Sequence, residues 1–153
     1  MKKELPTSAE ILARIPRIKG STETDVEELR KWVFEKTQIL QENITTFIEK
    51  TDLREDPDIY QERLYRYHLL LGGMSGLVAG LYERAHYLSF KKLTEETRTA
   101  TAAVSKKALN AGDRELYAKG DVSDLKALRN LLDGVIGNLE SRLYGARAAN
   151  RKW

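Results

Sequence analysis

The sequence predicts an all-α fold, in which long helices form a bundle and also mediate association with further copies of the chain. Three observations lead to this prediction. Prolines stand only at positions 6, 16 and 57, so residues 58–153 contain nothing that forbids a long helix. Apolar residues recur every three or four positions over long stretches, and no stretch alternates convincingly with a period of two. The charged fraction of 32% is typical of long, narrow helices, which expose much surface per residue.

The first third of the chain predicts a short helix and a longer one. Ser8 stands at the N-cap position of a helix over residues 8–15, and a loop rich in Pro, Gly, Ser and Thr follows it. Thr24 precedes Glu27 by three positions, which is the spacing of a capping box. The apolar residues that follow keep helical spacing, so we expect a second helix over residues 25–50.

A long helix is predicted in the middle of the chain. Asp56 as the cap and Pro57 at the first helical position form a start signal. Apolar residues then follow in steps of three or four as far as Leu88, which corresponds to a helix of about 48 Å. The same pattern allows the helix to continue to Asn110, where Gly112 is placed to end it in a left-handed conformation.

A last helix is predicted over residues 123–149, after a short turn at 113–118 and a break at 119–121. Its apolar residues follow a three-four-three-four spacing, which is a heptad seam over two repeats. Such a seam suits packing within a bundle or between subunits. The seam residues predicted to act in self-association are Leu125, Leu128, Leu132, Val135 and Leu139.

Three glycines in the long helix form a second feature that predicts close helix packing. Gly72, Gly76 and Gly80 are spaced by four residues, so they lie along one side of the helix. Each glycine costs about 1 kcal/mol relative to alanine inside a helix. A close approach of another helix compensates for this cost, because two backbones without Cβ atoms can come into contact. The contact can lie within the chain or between copies, and the three glycines are predicted self-association residues.

The length of 153 residues corresponds to one domain, in which we distinguish an N-terminal helical segment, residues 1–55, from a long-helix core, residues 56–153. The net charge of +3 is concentrated near the C-terminus, where residues 101–153 hold ten basic and six acidic side chains. A basic region of this kind is a candidate surface for phosphate contacts. Cations at the end of a helix also serve solubility and the helix dipole, so charge alone leaves both interpretations open.

Basic residues that recur along the long helix and in the tail are the candidate nucleic-acid contacts. Tyr87 and Phe90 lie beside the first of them, and aromatic rings next to lysines can stack on the bases of single strands. In the alternative interpretation the two aromatic residues belong to the core and the lysines form a solvated face. The predicted contacts are Arg84, Lys91, Lys92, Arg98, Lys106, Lys107, Arg147, Arg151 and Lys152.

The residue types present exclude several classes of function. The chain has no cysteine, which excludes a disulfide scaffold, thiolate catalysis and cysteine metal sites. Glu83 and His86 form a single Glu-x-x-His motif, whereas a di-iron bundle needs two. No phosphate-binding loop or dinucleotide fingerprint is present. We therefore predict a protein that is not an enzyme and needs no cofactor or metal. Since no signal peptide or span of sufficient length is visible, we expect it in the cytoplasm.

The C-terminal half resembles the UvsY-type recombination mediators of tailed phages, over roughly residues 80–150. The long helix, the short break and the leucine-rich helix occur in a similar order. The N-terminal residues 1–55 and the glycines have no counterpart. The resemblance is carried by Glu83-x-Ala85, Phe90-Lys91-Lys92-Leu93, Leu131-Leu132-Asp133, Leu139, Ser141-Arg142 and the basic tail.

The resemblance implies a protein that binds single-stranded DNA, forms ring-like oligomers and helps to load a RecA-like recombinase onto DNA coated by single-strand-binding protein. It further implies that Lys91 and Lys92 contact DNA and that helix 123–149 packs or oligomerises. Two other classes stay open: a non-enzymatic helical phage structural or assembly protein, and a small helical regulator that binds a protein or RNA. Salt-dependent binding of single-stranded DNA distinguishes the first class from both others.

Overall fold

The computed structural model of the chain describes residues 4–51, 56–103 and 110–151, and within these ranges it confirms the all-α prediction. None of the helices in these ranges combines the length and the apolar character that crossing a membrane requires. The elements in chain order are α1 (Ser8–Arg14), a 3-10 helix (Ile15–Gly20), α2 (Glu23–Lys50), α3 (Pro57–Ala103), α4 (Ala111–Asp121) and α5 (Ser123–Arg151).

The N-terminal cap of α2 is a capping box that lies two residues earlier than predicted. Thr22 Oγ1 accepts a hydrogen bond from the Asp25 amide at 3.2 Å, and Asp25 Oδ2 accepts one from the Thr22 amide at 3.0 Å. The prediction of Thr24 as the cap was wrong because the usual box has Glu or Gln three residues after the cap. The shorter Asp carboxylate closes the same ring here, and α2 consequently begins at Glu23.

The helix α1 begins at Ser8, as predicted, but its N-cap lies one residue earlier than predicted. Thr7, rather than Ser8, is the N-cap: its Oγ1 accepts from the Glu10 amide at 3.1 Å, and the Thr7 amide donates to Glu10 Oε1 at 3.4 Å. The loop predicted after α1 is the 3-10 helix, which accommodates a proline in its first turn because that position needs no amide donor.

The C-terminal part of the long helix differs from the prediction at Gly112. Gly112 lies in the first turn of α4, whose N-cap is Asn110: its side-chain oxygen accepts from the Asp113 amide at 2.8 Å. No glycine of the described ranges has a positive φ, so none acts as a left-handed helix end. The predicted short turn is thus a helix of 11 residues, and Val122 separates it from α5.

The core is arranged around α3, which packs against every other element. Its inward-facing side chains are at most 2% exposed: Leu64, Leu71, Met74, Leu77, Val78 and Leu81. The Tyr67 hydroxyl donates to Asn43 Oδ1 of α2 at 2.5 Å. On the α5 side, Ser75 Oγ donates to Asp133 Oδ1 at 3.2 Å. These contacts fix α2 and α5 on different sides of one central helix.

The leucine seam of α5 lies inside this core. The four leucines of the seam are at most 6% exposed, and Val135 is partly buried against them. The structure thus answers the question of packing within a bundle: the seam is covered by the same chain. That these side chains also act in self-association stays a prediction. It requires that α5 separate from the rest of the bundle.

The close approach at the glycines of α3 involves a different pair from the one predicted. A Cβ atom on Gly73 would lie 3.1 Å from Ile11, and one on Gly80 would lie 3.1 Å from Ile18. The two glycines are seven residues apart, and so are the two isoleucines. Seven residues make nearly two full helical turns, so the two contacts recur on the same side of α3. Gly72 and Gly76 are exposed and have nothing within 4 Å of a built Cβ, so within one chain only Gly80 of the predicted set makes a contact.

Arg30 joins α2 to the junction of α4 and α5. Its Nε donates to Asp124 Oδ2 at 3.0 Å, and its Nη2 donates to the carbonyl oxygen of Asp121 at 2.5 Å. Partial burial acts to raise the pKa of Asp124, but the hydrogen bonds and the positive charge of Arg30 outweigh it, so the pKa is lowered. The hydrogen bonds that Arg30 donates to Asp124 in turn raise the pKa of Arg30, which stays charged.

Replacing Arg30 with alanine is expected to reduce the acid sensitivity of folding. A carboxylate whose pKa is lowered in the folded state contributes stability above its unfolded pKa of about 3.9 and loses it as the pH falls through the folded value. Arg30→Ala therefore lowers the free energy of unfolding at neutral pH and flattens its decline in acid, as measured by urea unfolding across a pH series. Arg66→Ala is the control, because its pair with Glu62 is fully on the surface. Equal acid profiles for the parent and Arg30→Ala would contradict the role of this contact.

Candidate nucleic-acid interface

The candidate site lies on a two-helix arm, which we define as residues 86–103 of α3 together with α4. Ser89 Oγ donates to Asp121 Oδ2 at 2.5 Å, and His86 Nε2 lies 3.1 Å from Glu115 Oε1. The fully buried Ala118 lets the two helices approach. These contacts hold α4 against α3 and leave the remaining sides of this part of α3 for other partners.

Three residues share the outward face of the arm. Tyr87, Lys91 and Arg98 are spaced by four and seven residues, which places them within about 40° of one another around α3. All three are exposed, and the Tyr87 side chain is 54% exposed. The face therefore offers two cations and one aromatic ring to the solvent.

Lys92 belongs to a different surface, although it follows Lys91 directly. It lines a cavity of about 310 Å³, whose other charged lining residues are Glu23, Glu27, Asp121 and Arg30. Since adjacent residues on a helix point about 100° apart, the two lysines cannot face the same ligand side by side. Acidic residues outnumber the other cation around this cavity, so Lys92 is a poorer candidate for a phosphate contact than Lys91.

Arg84 holds the N-terminal segment in place. Its Nε and Nη2 both donate to the carbonyl oxygen of Ser21, at 3.1 and 2.7 Å, and Ser21 is buried. The guanidinium carbon also lies 5.5 Å from the centroid of the Tyr87 ring. Arg84, one of the predicted nucleic-acid contacts, thus holds the end of the 3-10 helix in place. It also puts a positive charge beside the Tyr87 ring.

The tail cations lie far from the arm. The guanidinium of Arg147 stands 4.9 Å from the centroid of Tyr65, near the start of α3. Tyr65 and Lys91 are separated along α3 by about 39 Å, at 1.5 Å per residue. Arg151 ends α5 at that same end of the bundle. The predicted contacts Lys106, Lys107 and Lys152 lie outside the described residues.

The aromatic residues near the arm divide between the two interpretations. Phe90 is half-buried, with the Arg114 guanidinium 5.5 Å from its ring centroid, so it belongs to the packing of α3 against α4. Tyr87 is open to solvent. Sequence reasoning missed Leu116 and Tyr117 of α4, which are 69% and 59% exposed. The missed signal was Asn110 followed three residues later by Asp113, which marks the start of α4.

The Glu-x-x-His motif is part of the packing of the arm. His86 faces Glu115 of α4, whereas Glu83 is exposed to solvent. In the described part of the chain, no three His, Asp or Glu side chains are grouped so that they could hold a metal ion.

Comparison with known proteins finds no matching family model, no matching curated protein and no matching solved structure. The resemblance to UvsY-type mediators stays a prediction from the sequence. The chemistry of the exposed side chains is therefore the basis on which a function can be proposed.

Proposed function

We propose that the chain binds single-stranded DNA through the outward face of the arm and acts as a recombination mediator that assists loading of a RecA-like recombinase. The observation that carries the first part is the shared exposed face of Tyr87, Lys91 and Arg98. Cations that neutralise phosphates gain affinity through release of condensed counterions. An exposed tyrosine ring stacks on any base, so binding carries little sequence preference.

The spacing of the face suits a strand that runs along α3. Lys91 and Arg98 are about 10.5 Å apart along the helix axis, which is far enough for contacts to different phosphates. Tyr87 precedes Lys91 by about one helical turn, on the same side, so that a base and the neighbouring phosphates can be contacted together. Glu95, four residues after Lys91 and three before Arg98, places one carboxylate at the edge of this face.

The mediator role rests on the resemblance, and it requires several copies of the chain on one strand. Two cations per chain give weak binding, but contacts repeated by associated copies add through effective concentration. A RecA-like recombinase and single-strand-binding protein are the partners that this role implies. The site of action is the cytoplasm, that of the host if the chain is encoded by a phage.

Adjacent lysines provide a matched test of the proposed face. Lys91→Ala is expected to weaken binding to a fluorescent polythymidine strand several-fold and to reduce the slope of log affinity against log salt by about 0.7, the value for one phosphate contact. Lys92→Ala is expected to keep affinity and slope near those of the parent, because Lys92 lies on another side of α3 and lines a cavity with three acidic residues. Fluorescence anisotropy across a salt series measures both quantities, and circular dichroism checks that helicity is unchanged.

Two outcomes would contradict the proposal. If Lys92→Ala weakens binding as much as Lys91→Ala, the outward face is not the DNA surface. If the parent does not bind at low salt, the chain is not a DNA-binding mediator. A positive result is followed by asking whether the chain speeds assembly of a RecA-like recombinase on DNA coated with single-strand-binding protein.

A helical phage structural or assembly protein is the second candidate function. The observation that favours it is the outward face of α5 between Ala127 and Ala148, where a sector about 140° wide holds no charged residue. Such a face suits protein contacts rather than phosphates. This candidate predicts assembly without affinity for DNA, so the same salt series distinguishes it from the first.

A further inference from the structure

A groove lies between the start of α1 and the first part of α3. It is a cavity of about 560 Å³, and residues 5–8 form one of its walls. At Thr7 the backbone of this wall is extended, with φ −91° and ψ 157°. The other wall consists of about two turns of α3. Its lining residues there are Arg63, Arg66, Tyr67, Leu69 and Leu70.

The groove presents apolar surface to the solvent. Tyr67 is 3% exposed, and its hydroxyl donates to Asn43 Oδ1, so the ring forms a fixed floor. Leu5 and Leu70 are partly buried, whereas Leu69 is 68% exposed. Covering such a leucine with a partner removes apolar surface from water, which favours association.

Both charged residues that the structure places in this groove are arginines, Arg63 and Arg66. Arg66 Nη2 lies 2.9 Å from Glu62 Oε1, but both side chains are mostly exposed, so water screens this pair. Among the residues that the structure describes, none forms an ion pair with Arg63. On its other side Arg63 borders a second cavity with Glu42 and Lys50, whose charges are opposite. The groove therefore favours carboxylates, which arginine binds through two parallel hydrogen bonds.

The main chain beside the groove is also available to a ligand. In the described part of the chain, the Leu5 amide, the Leu5 carbonyl and the Pro6 carbonyl form no hydrogen bond. The Glu4 carbonyl, by contrast, accepts from Lys36 Nζ at 3.2 Å. An extended peptide pairs with free main-chain groups and places its side chains in adjacent pockets, whereas a fatty anion offers no donor to a carbonyl.

We propose that this groove binds an extended acidic segment of a partner protein that also carries large apolar side chains. The arginines match its carboxylates, the exposed leucine and the tyrosine floor match its apolar side chains, and the free main-chain groups match its backbone. Nucleic acid is a poorer occupant, because the aromatic ring that lines the groove, Tyr67, is buried and offers no exposed face to a base. Arg63 lies about 42 Å from Lys91 along α3, so the inference does not depend on DNA binding at the arm.

Binding of peptide pools tests the proposal on the protein alone. The probe is a pool of fluorescein-labelled pentapeptides that contain aspartate and leucine in every order, so the result does not depend on one sequence. The parent is expected to raise the fluorescence anisotropy of this pool at low salt. Pools of lysine with leucine and of aspartate with serine are expected to bind at least about tenfold more weakly, because each lacks one of the two features.

Two substitutions locate the binding site. Arg63→Glu is expected to weaken binding of the aspartate–leucine pool at least about tenfold, since a charge-assisted hydrogen bond is replaced by a repulsion. Leu69→Ser is expected to weaken it several-fold through the loss of apolar contact. Both positions are exposed, so neither change is expected to alter the helicity measured by circular dichroism.

Matched controls on other helices separate the groove from the general effects of charge and apolar surface. Arg129→Glu makes the same change of charge at an exposed position on α5. Leu116→Ser removes a leucine that is 69% exposed on α4, close to the value for Leu69. Both variants are expected to bind the aspartate–leucine pool nearly as tightly as the parent.

Four outcomes would overturn the proposal. The first is no binding of the aspartate–leucine pool by the parent at millimolar concentration, and the second is equal binding of all three pools. The third is an equal loss in the groove variants and in their controls. The fourth is displacement of the bound peptides by unlabelled polythymidine or by decanoate, which would assign the groove to nucleic acid or to a fatty anion. Selective loss in Arg63→Glu and Leu69→Ser, without such displacement, supports the proposal.

Discussion

Leu132→Ala is expected to lower the free energy of unfolding by about 2–5 kcal/mol, the usual range for truncating a fully buried leucine. Leu132 is 1% exposed and lies in the middle of the α5 seam, where it packs into the main core. A loss of this size is a large part of the about 5–15 kcal/mol by which domains are stable. Denaturant unfolding monitored by circular dichroism measures it.

Leu116→Ala is the control for that change, because Leu116 is 69% exposed on α4. It is expected to change the free energy of unfolding by less than about 0.5 kcal/mol, as do most surface substitutions. The folded fraction of Leu132→Ala is expected to keep the assembly mass of the parent, since the seam is internal to one chain. Similar losses for the two variants, or a folded but dissociated Leu132→Ala, would show that the seam is an interface between chains.

Reversing both cations of the arm, in Lys91→Glu with Arg98→Glu, is expected to lower affinity for single-stranded DNA by more than about tenfold at low salt. The variant loses two phosphate contacts and adds two repulsive charges on one face. The slope of log affinity against log salt is expected to fall by about 1.4, since each contact on a single strand contributes about 0.7. The binding measurement is the anisotropy series already described.

The matched control is Lys31→Glu with Lys50→Glu, which changes the net charge by the same amount at two exposed positions on α2. It is expected to weaken binding slightly, through the overall field of the protein, and to leave the slope near the parent value. If both double variants lose the same affinity and slope, binding responds to total charge and the arm is not a distinct site.

The helices were largely predictable because the signals for them are local. The absence of proline after residue 57 and the apolar spacing both act over one or two turns, and they located α2, α3 and α5. The errors occurred where two local signals compete. Thr24 and Thr22 are both plausible caps, and Gly112 fits a helix end as well as the first turn of α4.

The candidate site was less predictable, because its composition depends on contacts between distant segments. Nothing local distinguishes Lys91 from Lys92. The difference comes from Glu23 and Glu27 of α2, which line one cavity with Lys92. In the same way, Arg84 is taken up by the carbonyl of Ser21, 63 positions earlier in the chain.

Because α3 is one unbroken helix, it can transmit a force from the arm to the bundle. At 1.5 Å per residue its 47 residues span about 70 Å, so a force applied at the arm is transmitted by one helix into the bundle. The part of α3 that bends most easily is the run of glycines at 72, 73, 76 and 80. A bend of about 10° at Gly76 moves Arg98 sideways by about 6 Å, since the two residues are about 33 Å apart on the helix axis. Ile11 and Ile18 pack on Gly73 and Gly80 and therefore resist bending of α3 between these two glycines.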